Sequence, residues 1–197
     1  MRQFKSESRL NKIKDVIFKR QSTLTVILEN IHDRHNVSAI LRSSDSVGVS
    51  KVSLLYNVEK FPKLSRTSSA SSNKWIDIEY SKSTEECFDE LRKKGFKIYV
   101  SKVSKDAKSL YDIDFTQKVA VLFGNEHRGV SESAENLCDE LFFIPMHGMA
   151  QSLNVSVAAA VTLYEAQRQR NNKGMYDVTE LSQEDFDRFI DKWCIRR

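Results

Sequence analysis

Glycine is scarce in this chain, with six among 197 residues. No G-x-G-x-x-G follows a strand-like run, and no G-K-[ST] loop is there to cradle a phosphate. Nicotinamide and nucleotide-triphosphate enzymes of the usual kinds are therefore disfavoured. Cysteine is rarer still: Cys87, Cys138 and Cys194 lie far apart. An odd count argues against a disulfide framework, and no pair has metal-ligand spacing. A reducing, cytoplasmic compartment is the expectation. No apolar run approaches the length of a membrane span, and the charged N-terminus does not read as a signal peptide. A membrane partner is not expected. No aromatic array marks a sheet face, so an RRM-type RNA reader is not expected either.

Apolar residues make up 40% of the chain, enough for the core of one domain with small additions. The net charge of +4 is unevenly spread. Residues 1–20 hold seven Lys or Arg against two Asp or Glu, so they carry +5 and the remainder about −1. Such a surplus is a local device. Arg9 to Arg20 reads as a helix with Leu10, Ile13 and Ile17 on one face. The basic residues around it suit either a solvated surface or a phosphate-gripping arm.

Strand-like runs alternate with helical ones. The strands are Thr23–Glu29, Lys51–Tyr56, Trp75–Tyr80, Lys97–Val103, Lys118–Phe123 and Leu141–Pro145. The helices run from a cap at Asn36 or Ser38 to Val47, with Gly48 as the stop, and from a cap at Thr84 to Lys94. A third runs from Ser131 or Ser133 to about Glu140, and a fourth from Val155 to Ala166. A basic polar connector, QRQRNNKGMYD, precedes a last helix opened by Ser182 with Asp185. Its stripe of Phe186, Phe189, Ile190 and Trp193 reads as packing. The serine-rich stretch 63–73 reads as a flexible loop. The alternation predicts an α/β domain with a mostly parallel sheet.

In such a sheet the polar loops Asn30–Asn36, Gly124–Gly129 and His147–Asn154 all lie at the carboxyl edge, where open α/β proteins place their ligands. Together they would gather Asn36, Arg42, Glu126, Ser152 and Asn154. Ser152 and Asn154 also stand at the entrance of the Val155 helix, where an ordinary cap would look the same. Histidines 32, 35, 127 and 147 belong to these loops. His32 and His35 lack the i, i+4 spacing of a zinc protease, and no cysteine lies near, so they read as hydrogen-bonding groups rather than metal ligands.

Three segments carry a resemblance. NIHDRHNVSAILRSSDSVG, VAVLFGNEHRGVS and IPMHGMAQSLNVSVAAAV resemble the three motifs of the SpoU branch of the SPOUT RNA methyltransferases, in the same order, over Asn30 to Val161. The basic first helix, AQRQR followed by GMYD, and the aromatic last helix resemble the tRNA (guanosine-18) 2′-O-methyltransferases of that branch. The resemblance implies a C-terminal deep trefoil knot, a rarity that no general rule of chain topology would propose. It also implies a homodimer and S-adenosylmethionine as methyl donor. Ser101, Gly124, Ile144, Ser152 and Leu153 would form the donor pocket.

On the same resemblance Arg42 is the catalytic arginine, oriented by Asn36. Asn154 and Ser152 would place donor and ribose. Glu126 would pair with Arg42 or take up a proton through water. A tRNA would be gripped by Lys12, Lys19, Arg20, Arg168 and Arg170. The chain would divide into a basic extension (1–22), a knotted methyltransferase domain (23–170) and a helical extension (171–197). Methylation of rRNA or of another tRNA position, and a non-catalytic RNA-binding dimer, stay open as alternatives.

Overall fold

The computed structural model describes residues 6–61 and 74–195. The serine-rich stretch read as a loop, 63–73, falls outside them. Seven parallel strands form one sheet in the order β3-β2-β1-β6-β4-β7-β5. The strands are β1 (Gln21–Glu29), β2 (Val49–Leu55), β3 (Asp77–Ser81), β4 (Lys97–Ser101), β5 (Lys108–Ser109), β6 (Val119–Phe123) and β7 (Glu140–Phe143). The helices are α1 (Glu7–Phe18), α2 (Arg34–Ser46), α3 (Thr84–Lys93), α4 (Glu132–Leu137), α5 (Val155–Asn172) and α6 (Gln183–Ile195). None of the described helices is long and apolar enough to cross a membrane.

The central strands are apolar at almost every position because both sheet faces are covered. Val26 and Leu28 of β1 join Val121 and Phe123 of β6 on the face that α2 and α5 cover through Val37, Ile40, Leu41, Ala159 and Leu163. Ile27, Ala120 and Leu122 point the other way, into a second core closed by Phe88 and Leu91 of α3 and Ala134 of α4. A third, smaller cluster lies apart from these. In it Ile13 and Ile17 of α1 pack on Ile190 and Trp193 of α6, with Trp75 alongside. The aromatic stripe of α6 is thus a packing face.

Local chemistry shifts several boundaries. Asp33, not Asn36 or Ser38, caps α2 by accepting from the His35 amide at 2.8 Å. The cap moves because Ser38 is buried under the helix and Asn36 is bound elsewhere. Ser83 caps α3, and Thr84, expected as the cap, is buried. Gly48 ends α2 at φ +85°, and a Cβ there would sit 2.8 Å from the Lys19 carbonyl oxygen. β5, a two-residue edge strand, is too short to leave a periodic signal.

The largest departure is α5. It runs to Asn172, six residues past Ala166, so half of the expected connector is helix. Tertiary bonds extend it. Gln169 binds the Ile113 carbonyl and the Phe115 amide, both at 2.9 Å. Arg170 is fully buried, and all five of its N–H groups find acceptors. Nε donates to Phe115 O at 2.9 Å, Nη1 to Gln21 Oε1 at 3.1 Å and Thr23 Oγ1 at 2.8 Å, Nη2 to Thr23 O at 3.0 Å and Gln117 O at 2.8 Å. Burial pulls its pKa below the usual arginine value, with Glu180 working against the shift.

Arg170 therefore pins the end of α5 to the start of β1 and to the turn before β6, and cannot reach a phosphate. Replacing it with alanine leaves several buried acceptors unpaired, each costing about 1–3 kcal/mol. Arg170→Ala should lower unfolding free energy by about 3 kcal/mol or more on this count. Lysine, lacking the planar fork, should recover little of it. Urea denaturation measures both, and a variant within about 1 kcal/mol of the parent (the size of one net hydrogen bond) would refute the strut.

Candidate active site

The carboxyl ends of β1, β6 and β7 bring three loops together. Glu126, just past β6, is their meeting point. Its carboxylate accepts from the His32 amide at 2.9 Å, the Asp33 amide at 3.1 Å and Asn36 Nδ2 at 2.8 Å. Asn36 in turn accepts from Asn154 Nδ2 at 3.2 Å. Asn154 caps α5, its side-chain oxygen accepting from the Ser156 amide at 2.8 Å. Bonds between residues 90 and 118 positions apart thus fasten the motif loops into one edge.

Partial burial disfavours the Glu126 carboxylate, but the Asn36 side chain and the His32 and Asp33 amides outweigh it and hold its pKa below the ordinary value. Through these three bonds the carboxylate ties the loop after β1 and the start of α2 to the loop after β6. Asn36, expected to orient Arg42, hydrogen-bonds both Glu126 and Asn154.

Behind this edge lies a cavity of about 460 Å³ between the ends of β4, β6 and β7. Ser101, Gly124, Ile144, Ser152 and Leu153, the five expected pocket residues, all line it, with Glu126 and Asn154 at its border. Gly124 has to be glycine. A Cβ there would lie 2.5 Å from Gly129 O and 2.6 Å from Val130 N, because the loop folds back on itself. The fold-back is held by Gly129 N donating to Asn125 O at 2.9 Å, while Asn125 Oδ1 accepts from the His127 and Arg128 amides. Main chain therefore forms one wall, and Phe123, Leu153 and Ala158 add apolar surface. Size, backbone donors and apolar walls suit an adenosine-bearing molecule.

Arg42 lies on the exposed side of α2, six residues beyond Asn36, and does not line the cavity. Of the expected RNA-gripping residues, Lys12 and Lys19 are exposed. Arg168 is exposed and paired with Glu165 at 2.8 Å. Two are corrected. Arg170 is the buried strut described above. Arg20 is 4% exposed, ion-paired with Asp45, donates to Val49 O at 2.8 Å and lies over the Trp193 ring. Charge counting along a chain cannot see burial, and both guanidiniums are consumed by the fold. Sequence reading passed over Asn30, Asn125, Lys102 and Arg128 at or beside the pocket. Asn30, Asn125 and Arg128 stood inside quoted motifs, and the polar loops were the available signal.

An open parallel α/β sheet with a backbone-walled pocket at its carboxyl edge, fastened by loops of three separate motifs, defines a ligand-binding α/β protein. The SpoU rRNA Methylase family matches residues 23–164, and the chain belongs to that family. It is 43% identical over 189 residues to a tRNA (guanosine(18)-2′-O)-methyltransferase of Thermus thermophilus, covering 96% of this chain and 97% of that one. It superposes on the crystal structure of the A. aeolicus TrmH/SpoU tRNA modifying enzyme with a TM-score of 0.89, at 39% identity and 95% coverage of both chains. The SpoU methyltransferase AviRb from Streptomyces viridochromogenes, solved with the cofactor AdoMet, matches at TM-score 0.68 and 29% identity over 80% of this chain and 61% of that one.

The depressed pKa of Glu126 gives a pH signature. Its stabilising effect is complete above the unfolded carboxyl pKa of about 4.3 and is lost as pH falls through the lower folded value. Glu126→Gln should therefore be less stable than the parent at neutral pH, with the gap closing in acid. Urea denaturation across pH measures it; a gap independent of pH would show that the charge is not what holds the loops.

Proposed function

We propose that this chain is a cytoplasmic homodimeric tRNA 2′-O-methyltransferase that takes its methyl group from S-adenosylmethionine and modifies guanosine 18 of the D-loop. The observation that carries the reading is the Glu126–Asn36–Asn154 clamp at the mouth of the pocket. The near-full-length likeness to the tRNA guanosine-18 enzyme of Thermus supports the substrate.

The pocket residues Ser101, Gly124, Ile144, Ser152 and Leu153 would hold the donor, which supplies an electrophilic methyl group with a good leaving group. The chain's own task is the nucleophile. A ribose hydroxyl is barely ionised at neutral pH, so its oxygen must be aligned and its developing charge stabilised. Arg42 binds the ribose or the adjacent phosphate and stabilises that charge. A guanidinium in general serves as a fixed positive charge and hydrogen-bond donor rather than as a base. Asn36 and Glu126 are positioning residues, and Asn154 and Ser152 place donor and ribose. Glu126 already accepts three hydrogen bonds, and the hydroxyl proton leaves to water.

Lys12, Lys19 and Arg168 supply phosphate contacts, which position RNA without reading its bases. The mutual packing of α1 and α6 supports treating residues 1–22 and 171–197 as extensions that act together beside a 23–170 catalytic domain. β7 lies between β4 and β5, which residues 102–107 already join, and α5 then returns to α2. That order supports a C-terminal deep trefoil knot. Val157 and Tyr164 of α5 are 47% and 52% exposed, and with Val161 between them they form an apolar stripe at helical spacing. The stripe supports a homodimer, with each active site drawing on both subunits.

The direct test is methyl transfer to unmodified tRNA with the modified ribose mapped. Position 18 should be methylated, and a tRNA with 2′-deoxyguanosine there should not be. Modification confined to rRNA or to the wobble ribose would redirect the substrate, and no transfer at all would favour a binding module. Arg42→Ala should cut turnover about a hundredfold or more, the size of one lost oxyanion donor, with tRNA affinity less affected. Near-normal turnover would remove Arg42 from the chemistry. Val157→Asp with Tyr164→Asp should sediment as a monomer, and an unchanged mass would place the interface elsewhere.

A further inference from the structure

The loop after β2 carries a carboxylate that the motifs do not contain and the mechanism above does not use. Glu59 Oε1 accepts from Arg128 Nη2 at 2.7 Å and from Asn125 Nδ2 at 3.2 Å. Its Oε2 lies 3.1 Å from His32 Nδ1. Arg128 and Asn125 both line the cavity. His32 belongs to the loop whose amide Glu126 holds. Glu59 therefore touches both loops that Glu126 joins.

Asn30 fixes Glu59 in place. At φ 50° it adopts the left-handed conformation that asparagine tolerates better than most residues. It is buried, and each of its polar groups is used. Its amide donates to Leu55 O at 2.9 Å, and its carbonyl accepts from Asn125 Nδ2 at 2.7 Å. Its side-chain oxygen accepts from the Val58 and Glu59 amides, both at 3.2 Å, and its side-chain nitrogen donates to Asn57 Oδ1 at 2.7 Å. The main chain at Glu59 is thus tied to the end of β1. The Glu59 carboxylate is presented from a fixed base, with 23% of its side chain exposed.

We propose that Glu59 is a positioning residue for the methyl-donor pocket, acting by holding Arg128 and Asn125 at its lip. The proposal rests on the reading that the pocket takes S-adenosylmethionine. Arg128 is 54% exposed, and its ion pair with Glu59 fixes where the guanidinium sits. Released, that long side chain would range over the pocket mouth or into water, regaining the rotamer freedom that the pair removes. Asn125 would lose one of the two acceptors of its Nδ2 group, loosening the fold-back that shapes the main-chain wall. Support of this kind keeps a binding constellation in working geometry.

The test compares the full-length parent with Glu59→Ala, Glu59→Gln and Arg128→Ala. S-Adenosylhomocysteine binding is measured by calorimetry, and methyl transfer with donor KM, tRNA KM and kcat resolved. Glu59→Ala should raise the dissociation constant and donor KM about tenfold, the size of one lost charged hydrogen bond. Glu59→Gln, which keeps an acceptor, should fall between it and the parent. tRNA KM and kcat should hold, and the Glu59→Ala/Arg128→Ala double variant should bind no more weakly than Glu59→Ala, because the two act through one another. Unchanged donor binding in Glu59→Ala, or donor KM and tRNA KM rising together with a loss of thermal stability, overturns the proposal. A parent that fails to bind S-adenosylhomocysteine overturns the donor reading and this proposal together. A parent that binds, beside a Glu59→Ala variant that binds equally well, overturns this one alone.

Discussion

A single carboxylate at the end of β6 fastens the functional edge of this molecule. Glu126 takes two main-chain amides from the loop after β1 and a side-chain amide from the first turn of α2, and through Asn36 it reaches the cap of α5. Parallel strands deliver three loops to one edge, but they do not fix the distances between them. Loops that carry few apolar side chains need polar bonds for that. A charged acceptor at the meeting point makes each of those bonds stronger than a neutral one would be.

Basic residues divide into two groups. Arg20 and Arg170 are structural cations, one locking the end of α1 to α2 and the strand beside it, the other locking α5 to β1. Lys12 and Lys19 stay in water on or just beyond α1, where a polyanion could meet them. The local surplus of positive charge near the N-terminus is therefore smaller at the surface than along the chain.

How much of this was legible beforehand depended on whether a signal was local. The central strands announced themselves as apolar runs, and the loops between them as polar interruptions, so the sheet edge and its inventory of Asn36, Glu126, Ser152 and Asn154 could be read. Gly48 and Ser131 marked helix ends by conformation and capping chemistry that act within a few residues. What escaped was set by distant partners. Asp33 took the cap of α2 because Asn36 was claimed across the sheet edge. The last turns of α5 formed because Gln169 and Arg170 met the 113–117 segment. Glu59 follows β2 in no recognisable pattern, and only the fold brings Asn30, Asn125 and Arg128 to it.

The buried lock at Arg170 has an uneven bearing on how the chain could vary. Three of its five acceptors are main-chain carbonyls, at Thr23, Phe115 and Gln117. Any amino acid offers a carbonyl, so residues 115 and 117 could drift without loosening that attachment, provided the turn keeps its path. The donor has no such latitude, since no other side chain presents five N–H groups in one plane. Sequence restraint from a shared contact thus falls on one position and leaves its neighbours across the sheet largely at liberty.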